Sequence, residues 1–539
     1  MAISEGETQE TSTTADNRRQ DVTANAAPHI VPGAEWATLY RKAQDLVPEA
    51  FDAQGHVLNL IEGEWCYPGA PKRFVSPCDG TELCYFPMID LAVARRAVRY
   101  TADEHDEWSK VPLDERRRRV AACTDLLKEN RELLAYLLVW EIGKPFAQAQ
   151  VSVDRCISGV EWYVAEIEGM IAGRTPLGVV SNIASWNYPL SVLVHALLVQ
   201  MLCGNAVIAK TPSDGGLCAL TVSLALARRC GLPVSLVSGS GGRLSEALVR
   251  NENIAALAFV GGKANGRDIA ASLYDHHKRY MLEMEGVNAW GVWNFSDWDM
   301  MAKLIKKGFE YGKQRCTAYP RYVVQRELFP RFLAMYLPVL QSLRFGHPLM
   351  VRGAETTPPA LDFGPLINSS KCEELRDMYV EALGKGAVSL FEGDIDPEMF
   401  IPGQDTSAYL ASAALINVPR NCSLYHNEPF GPIDTIVVVD RFEEMINEMN
   451  VSGGSLVASI ACDDERTCQR AVSQLRAYKI GVNAIRSRGD KAESFGGSGE
   501  SWRGCFVGGE YLVQAVTYGP EGERLYGTFD DYTLIPEKR

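Results

Sequence analysis

Three short segments carry side chains whose types could act together. In residues 311–323, YGKQRCTAYPRYV, Cys316 stands between a glycine-containing polar run and an apolar run of strand character. A cysteine is a good nucleophile near neutral pH once its pKa is lowered locally, although most of the 14 cysteines in the chain must be inert. In residues 281–288, MLEMEGVN, Glu283 and Glu285 lie among apolar residues beside a glycine. A carboxylate in apolar surroundings gains basicity and can serve as a general base; its plainer use is a capping or salt-bridged acid. In residues 181–189, SNIASWNYP, Asn187 offers an amide where negative charge could be stabilised. The commoner use of such an asparagine is to bond its own turn.

Something must hold these segments in place. From residue 177 the pattern alternates strand and helix: PLGVVSNIA, NAVIAK, PVSLVSG and AALAFVGG read as strands, each followed by a helical stretch, the last being GRDIAASLYDHH. Repeated βα units imply a parallel sheet covered on both faces, with ligands at the C-terminal ends of its strands. A second α/β region is expected over residues 281–497, with YPRYVVQ, TIVVVD and SLVASIA as strands. Upstream, residues 57–65 and 74–84 read as strands with turns, 91–102 as a helix and 113–142 as one long helix. Arg116, Arg117, Arg118 and Arg119 are read as a solvated helix face rather than an anion site. Residues 190–203 are apolar but too short to span a bilayer, so they are read as a buried helix. Residues 1–33 are poor in large apolar side chains and are expected to form a disordered tail, with the fold beginning near Ala34.

Composition narrows the function classes. The chain has 539 residues and a formal net charge of −14, which argues against nucleic acid or an anionic membrane as the main partner. No two cysteines have CxxC spacing, there are eight histidines and no HExxH, so no metal site is expected. The N-terminus lacks an apolar signal core, and unpaired thiols suit a reducing compartment, so a cytoplasmic protein is expected.

Together these segments resemble the aldehyde dehydrogenase superfamily. SWNYP is similar to its PWN(F/Y)P element, VIAKTPS to V(V/I)xKPxE/S, FVGG to the start of FTGSxxxG, LEMEGVN to LELGGKN and GKQRCTA to GQxCxA. EPFGP matches outright, and SFGGSGESWRG is similar to PFGGxxxSGxG. The motifs occur in the family's order. The resemblance implies an α/β fold with a Rossmann-like NAD(P)-binding domain (34–280), a catalytic domain (281–497) and a small bridging or oligomerisation element, completed by the C-terminal segment 498–539. It implies Cys316 as nucleophile toward an aldehyde, Asn187 with the Cys316 backbone N–H as oxyanion donors, and Glu283 as the base that hydrolyses the thioester to a carboxylic acid. It also implies Trp186, Lys210, Ser213, Gly241, Gly261, Gly262, Met284, Glu428 and Phe430 as contacts of NAD or NADP, and a homo-oligomer, dimer or tetramer.

Four departures bear on function. Ser213 replaces a ribose-binding glutamate, which leaves NADP open as well as NAD, with Asp214 next door as a substitute acid. Gly262, followed by Lys263, replaces a pyrophosphate serine. Glu285 replaces a glycine beside the nicotinamide site, where it could alter cofactor pose or compete with Glu283. The bridging hairpin is reduced to a short turn near residues 160–176, so the C-terminal tail is expected to take over its contact. Two alternatives stay open: an acylating relative that passes the thioester to coenzyme A, against which Glu283 argues, and a cofactor-binding homologue with impaired catalysis. The identity of the aldehyde is not legible. Leu190, Phe309 and Phe495 are as consistent with plain core as with a tunnel, and Trp290, Trp293, Phe295 and Trp298 read as packing. No arginine can be assigned to a substrate carboxylate.

Overall fold

The computed structural model describes residues 27–183, 185–273, 278–488 and 490–529. Amphipathic helices lead into the first sheet: α1 (Leu91–Trp108), α2 (Leu113–Glu129), α3 (Arg131–Ile142) and α4 (Phe146–Ile171). The single helix expected over 113–142 is two, meeting at Asn130, whose φ of −102° and ψ of 18° leave the helical range and whose side-chain amide donates to Leu126 O at 2.9 Å. Nor is the arginine row of α2 one solvated face. Arg116 is buried, Arg117 bonds Val164 O, and Arg118 and Arg119 bond Glu115.

The βα alternation yields β1 (Val179–Ile183), α5 (His195–Leu202), β2 (Ala206–Lys210), α6 (Leu217–Arg229), β3 (Val234–Val237), α7 (Gly241–Leu248), β4 (Ile254–Gly261), α8 (Lys263–Leu273) and β5 (Arg279–Met284). The end of the last expected helix, 274–277, lies outside the described residues. These five strands are parallel in the spatial order β5-β4-β1-β2-β3. The chain therefore builds outward from β1 in one direction and then returns to β4 on its other side. That reversal opens a crevice at the C-terminal ends of β1 and β4, where α/β sheets bind ligands.

A second sheet contains β6 (Ala289–Val292), β7 (Arg321–Gln325), β8 (Ala413–Ile416), β9 (Ile433–Val439), β10 (Ser455–Ala461) and β11 (Ala477–Val482), parallel in the order β8-β9-β7-β6-β10-β11. The chain changes sheets within residues 285–288, a little beyond the boundary expected at 280. Within the expected C-terminal segment, β12 (Trp502–Cys505) and β13 (Gly527–Thr528) return to the first sheet, β12 pairing antiparallel with β5. The short turn after α4 pairs with this same tail: Thr175–Pro176 bridges Thr517–Tyr518, and Arg174 is ion-paired with Glu523. The tail thus takes up the bridging position within its own chain; its residues 530–539 lie outside the described residues.

At the N-terminus, Pro28–Ile30 pairs with Met350–Arg352 and Val31 is buried. Residues 28–33 are therefore part of the fold, contrary to the expected limit of the tail; residues 1–26 lie outside the described residues. The segment 189–202 is the buried helix expected of it, with a π-helical first part, Pro189–Val194, directly after Asn187. Each fully buried Leu or Val there stabilises the fold by roughly 1.5–3 kcal/mol. Among the described residues no helix is long and apolar enough to cross a membrane.

Candidate active site

The C-terminal ends of the first sheet face the N-terminal ends of the second. β5 delivers Glu283 at its end, and after four residues the chain has entered β6. Asn288 fixes this crossing. Its amide donates to Cys316 O and Ala318 O, both at 2.7 Å, and its oxygen accepts from Ser455 Oγ, Leu456 N and Val457 N. The loop before β7 is thereby tied to β5, β6 and β10 at once.

That loop is strained. Tyr311, Gly312 and Lys313 have φ values of 61°, 58° and 57°, a left-handed run that two non-glycine residues adopt only when their surroundings impose it. Tyr311 OH donates to Ile142 O, Gln314 accepts from Ile367 N, and Lys313 is ion-paired with Asp434 in the core. Cys316 follows, partly exposed.

Cys316 Sγ donates to Glu283 Oε1 at 2.9 Å. Burial and then the adjacent Glu283 carboxylate push the thiol well above its ordinary pKa. Cys316 therefore rests as a thiol hydrogen-bonded to Glu283, not as a free thiolate. Glu283 Oε2 accepts from Arg488 Nη2 at 2.8 Å. Asn187 Nδ2 donates to Gln314 O at 3.0 Å and Asn187 Oδ1 accepts from Ser185 Oγ at 2.8 Å, which sets the amide's orientation and leaves it one further N–H.

Lys144 supports this asparagine. It is fully buried, donates to Asn187 O at 3.0 Å and Ser152 Oγ at 3.1 Å, and lies 4.0 Å from the Tyr188 ring centroid. Burial pushes its pKa well down. Lys144 and Arg488 carried no signal in the sequence, each being one polar residue in an ordinary stretch; Asn288 and Lys313 lie in the segments LEMEGVN and GKQRCTA, but nothing in these segments showed their distant partners.

The Glu285 carboxylate lies beside Gly262 at the start of α8, 3.9 Å from where a Cβ on that glycine would be. Burial and then Glu285 push the Glu428 carboxyl well above its usual range. Both Glu428 oxygens are buried with no hydrogen-bond partner among the described residues, an arrangement that suits the diol of a bound ribose. Trp186 stands between Tyr311 and Phe430, with ring centroids at 6.3 and 5.8 Å. Phe430 takes a left-handed φ of 53°.

Along the crevice, Lys210 ends β2 buried, next to Gly241 at the start of α7. Its pKa is pulled down to about 8 by burial and then by Lys72, with Asp214 opposing. Lys72 Nζ donates to Ser213 O at 2.9 Å. Gly261 and Gly262 lead into the N-terminus of α8, a natural phosphate-facing end. Lys263 does not stand in for the missing serine; it is ion-paired with Glu500 at 3.3 Å. Met284 is buried against Gly266, so only its backbone is placed to meet a ligand. These residues fit a dinucleotide: a helix N-terminus and lysines for phosphates, and an unpaired carboxyl pocket for a ribose.

Phe309 is core, fully buried beneath Lys313, and Leu190 is likewise buried. Phe495 is buried but carries the Arg488 guanidinium 4.8 Å above its ring. The aromatics at 290–298 pack separately, Trp290 on Tyr319 and Tyr322, Trp293 on Phe442, and Phe295 on Trp298. Among the described residues no group of three or more His, Cys, Asp or Glu could hold a metal ion.

Known proteins resemble this chain along most of its length. Residues 68–518 match the aldehyde dehydrogenase family. The chain is 24% identical over 456 residues to the 3,6-anhydro-alpha-L-galactose dehydrogenase of Vibrio sp. (strain EJY3), covering 81% of this chain and 92% of that one. It is 27% identical over 412 residues to the 2,5-dioxopentanoate dehydrogenase of Saccharolobus solfataricus, covering 72% and 82%. The fold is that of the NADP-dependent glyceraldehyde-3-phosphate dehydrogenase from Bacillus halodurans complexed with NADP, with a TM-score of 0.77, 24% identity, and 86% and 98% of the two chains covered. The chain belongs to the aldehyde dehydrogenase family and is an NAD(P)-dependent oxidoreductase acting on the aldehyde group.

Proposed function

We propose that the protein oxidises an aldehyde to a carboxylic acid through covalent attachment to Cys316, with Glu283 as general base and Asn187 as oxyanion donor. The observation that carries this is the 2.9 Å contact between Cys316 Sγ and Glu283 Oε1. Glu283 takes the thiol proton as the sulfur attacks the aldehyde carbon. The carbonyl π electrons move to oxygen, which is held by the remaining Asn187 N–H and the Cys316 backbone N–H. A donor of this kind contributes roughly 3–4 kcal/mol to lowering the barrier. Lys210, Gly262, Glu428 and their neighbours would hold NAD or NADP, which would supply the hydride acceptor for the aldehyde carbon when bound. Glu283 gives up the thiol proton to solvent, and the thioester left on Cys316 is then attacked by a water whose proton goes to Glu283. Collapse of this adduct expels the sulfur, which recovers that proton as the thiol, and releases the acid.

Cys316→Ala should abolish reduced-cofactor formation while dinucleotide binding survives. Glu283→Gln should slow thioester hydrolysis, so that a coenzyme A-independent product phase disappears. A strict coenzyme A requirement in the wild type would instead favour acyl transfer. Turnover by the Ala variant would remove Cys316 from the chemistry. The same reading makes the protein a cytoplasmic homo-oligomer. Its free cysteines support the compartment, and light scattering on the full chain tests the assembly.

A further inference from the structure

Glu283 is the proposed base, yet in the resting site both its oxygens are engaged. Oε1 receives the Cys316 thiol at 2.9 Å and Oε2 receives Arg488 at 2.8 Å. The carboxylate is 4% exposed, whereas the Arg488 side chain is 36% exposed, so the arginine reaches the base from the open side of the site. The guanidinium ties up one carboxylate oxygen in a charge-assisted hydrogen bond and fixes the orientation of the group.

Arg488 has donors to spare. A guanidinium offers five N–H groups in a planar fork, and among the described residues its one hydrogen bond is to Glu283. Its plane lies over Phe495, which holds the side chain without using those donors. Other positive charges lie around Asn187 in a chain whose net charge is −14. Arg155 and Arg315 lie within electrostatic reach of Tyr188, the residue after Asn187, together with Cys316 and Glu310. Arg155 has no hydrogen bond or ion pair among the described residues. Arg315 bonds Gly308 O, approaches Glu310 at 3.8 Å, and keeps a buried Nε without a partner. Arg488 and Lys491 both act on His195 at the start of α5.

We propose that the aldehyde substrate carries a terminal carboxylate and that Arg488 is its receptor, so that substrate binding draws the guanidinium off Glu283 and frees the base. The inference rests on Glu283 acting as the base, as proposed above. In the resting protein the Glu283 carboxylate occupies the anion position of Arg488. An incoming carboxylate takes that position with two parallel N–H···O bonds, and Glu283, no longer ion-paired, accepts the Cys316 proton. Recognition of the distal end of the substrate thus switches on chemistry at its aldehyde end. A neutral aldehyde of the same length fills the site but leaves the base held.

The test compares succinic and glutaric semialdehyde with butanal and pentanal, using the full chain with saturating NADP. The wild type should favour the carboxylated aldehydes by about 100-fold in kcat/KM. Arg488→Gln should lose that preference, falling about 100-fold on the semialdehydes while turnover of the neutral aldehydes rises severalfold. Arg488→Lys should recover part of the preference, which a merely structural arginine would not do. A wild type that treats both sets alike, or a Gln variant that loses the same factor on both, overturns the proposal. Unchanged dinucleotide binding by the variants shows that they are folded. Oxidation of neutral aldehydes that depends on Cys316 but shows no carboxylate preference would sink this inference alone, whereas silence toward every aldehyde would sink the parent reading.

Discussion

Replacing Lys313 by Met should destabilise the protein by about 3–5 kcal/mol, and a second replacement, Asp434→Leu, should restore most of that loss. The pair is sealed in the core, with side-chain exposures of 1% and 0%. Asp434 also accepts from Tyr336 OH at 2.7 Å, and Lys313 donates to Tyr319 O at 3.0 Å and sits 4.0 Å from the Phe309 ring centroid. Burial is the largest influence on both groups. It pushes Lys313 down and Asp434 up, against the attraction between them. The desolvation cost therefore exceeds what the attraction returns. Removing one partner leaves a charge or a proton-demanding carboxyl stranded in the core; removing both leaves neither. Methionine keeps the length of the lysine stem and has the same difficulty with the left-handed φ at 313, so the comparison isolates the charge. The assay is denaturant unfolding with a common slope for wild type, both single variants and the double variant. Because Lys313 lies three residues before Cys316, kcat should fall with the single variant. A Lys313→Met protein within about 1 kcal/mol of wild type, or a double variant no more stable than the single, would refute the reasoning.

Three further outcomes follow from the same geometry. Lys72→Ala should raise KM for NADP about tenfold with little change for NAD, because Lys72 places charge beside Ser213 and Lys210, where a 2′-phosphate would be accepted; equal effects on both cofactors would remove Lys72 from that role. Glu285→Gly should tighten dinucleotide binding about tenfold at neutral pH, since the carboxylate stands beside Gly262 at the phosphate-facing end of α8; calorimetry showing equal affinity would contradict this. Glu141 is buried, caps the N-terminus of α6 by accepting from Cys218 N and Ala219 N, and has its pKa raised by burial to about 7. Its folded pKa lies above the unfolded value, so its contribution to stability is complete below about pH 4.5 and is lost as pH rises through about 7, a change of roughly 3 kcal/mol. Glu141→Gln should flatten the stability profile across that window, and an unchanged slope would count against it.

Much of this protein was legible along the chain. Four βα units announced the first sheet because a parallel strand buried on both faces is mostly apolar, and β2 and β3 are, apart from Lys210 and Ser235. Cys316, Glu283 and Asn187 could be named because their segments resemble the family's motifs in order, and Ser213 and Glu285 could be marked as departures only against those motifs. What the chain could not disclose were partners set by tertiary packing. Arg488 meets Glu283 across 205 residues, Lys313 meets Asp434 across 121, and Lys144 meets Asn187 across 43. No periodicity records such pairings, since hydrogen bonds and ion pairs depend on distance in space and not on separation in sequence. The break at Asn130 and the return of β12 and β13 to the first sheet were hidden likewise, one set at a single residue, the other by which sheet edge remained to be covered. The residue types determined which chemistry was available to this chain; only the folded arrangement decided that its base rests under an arginine's hand.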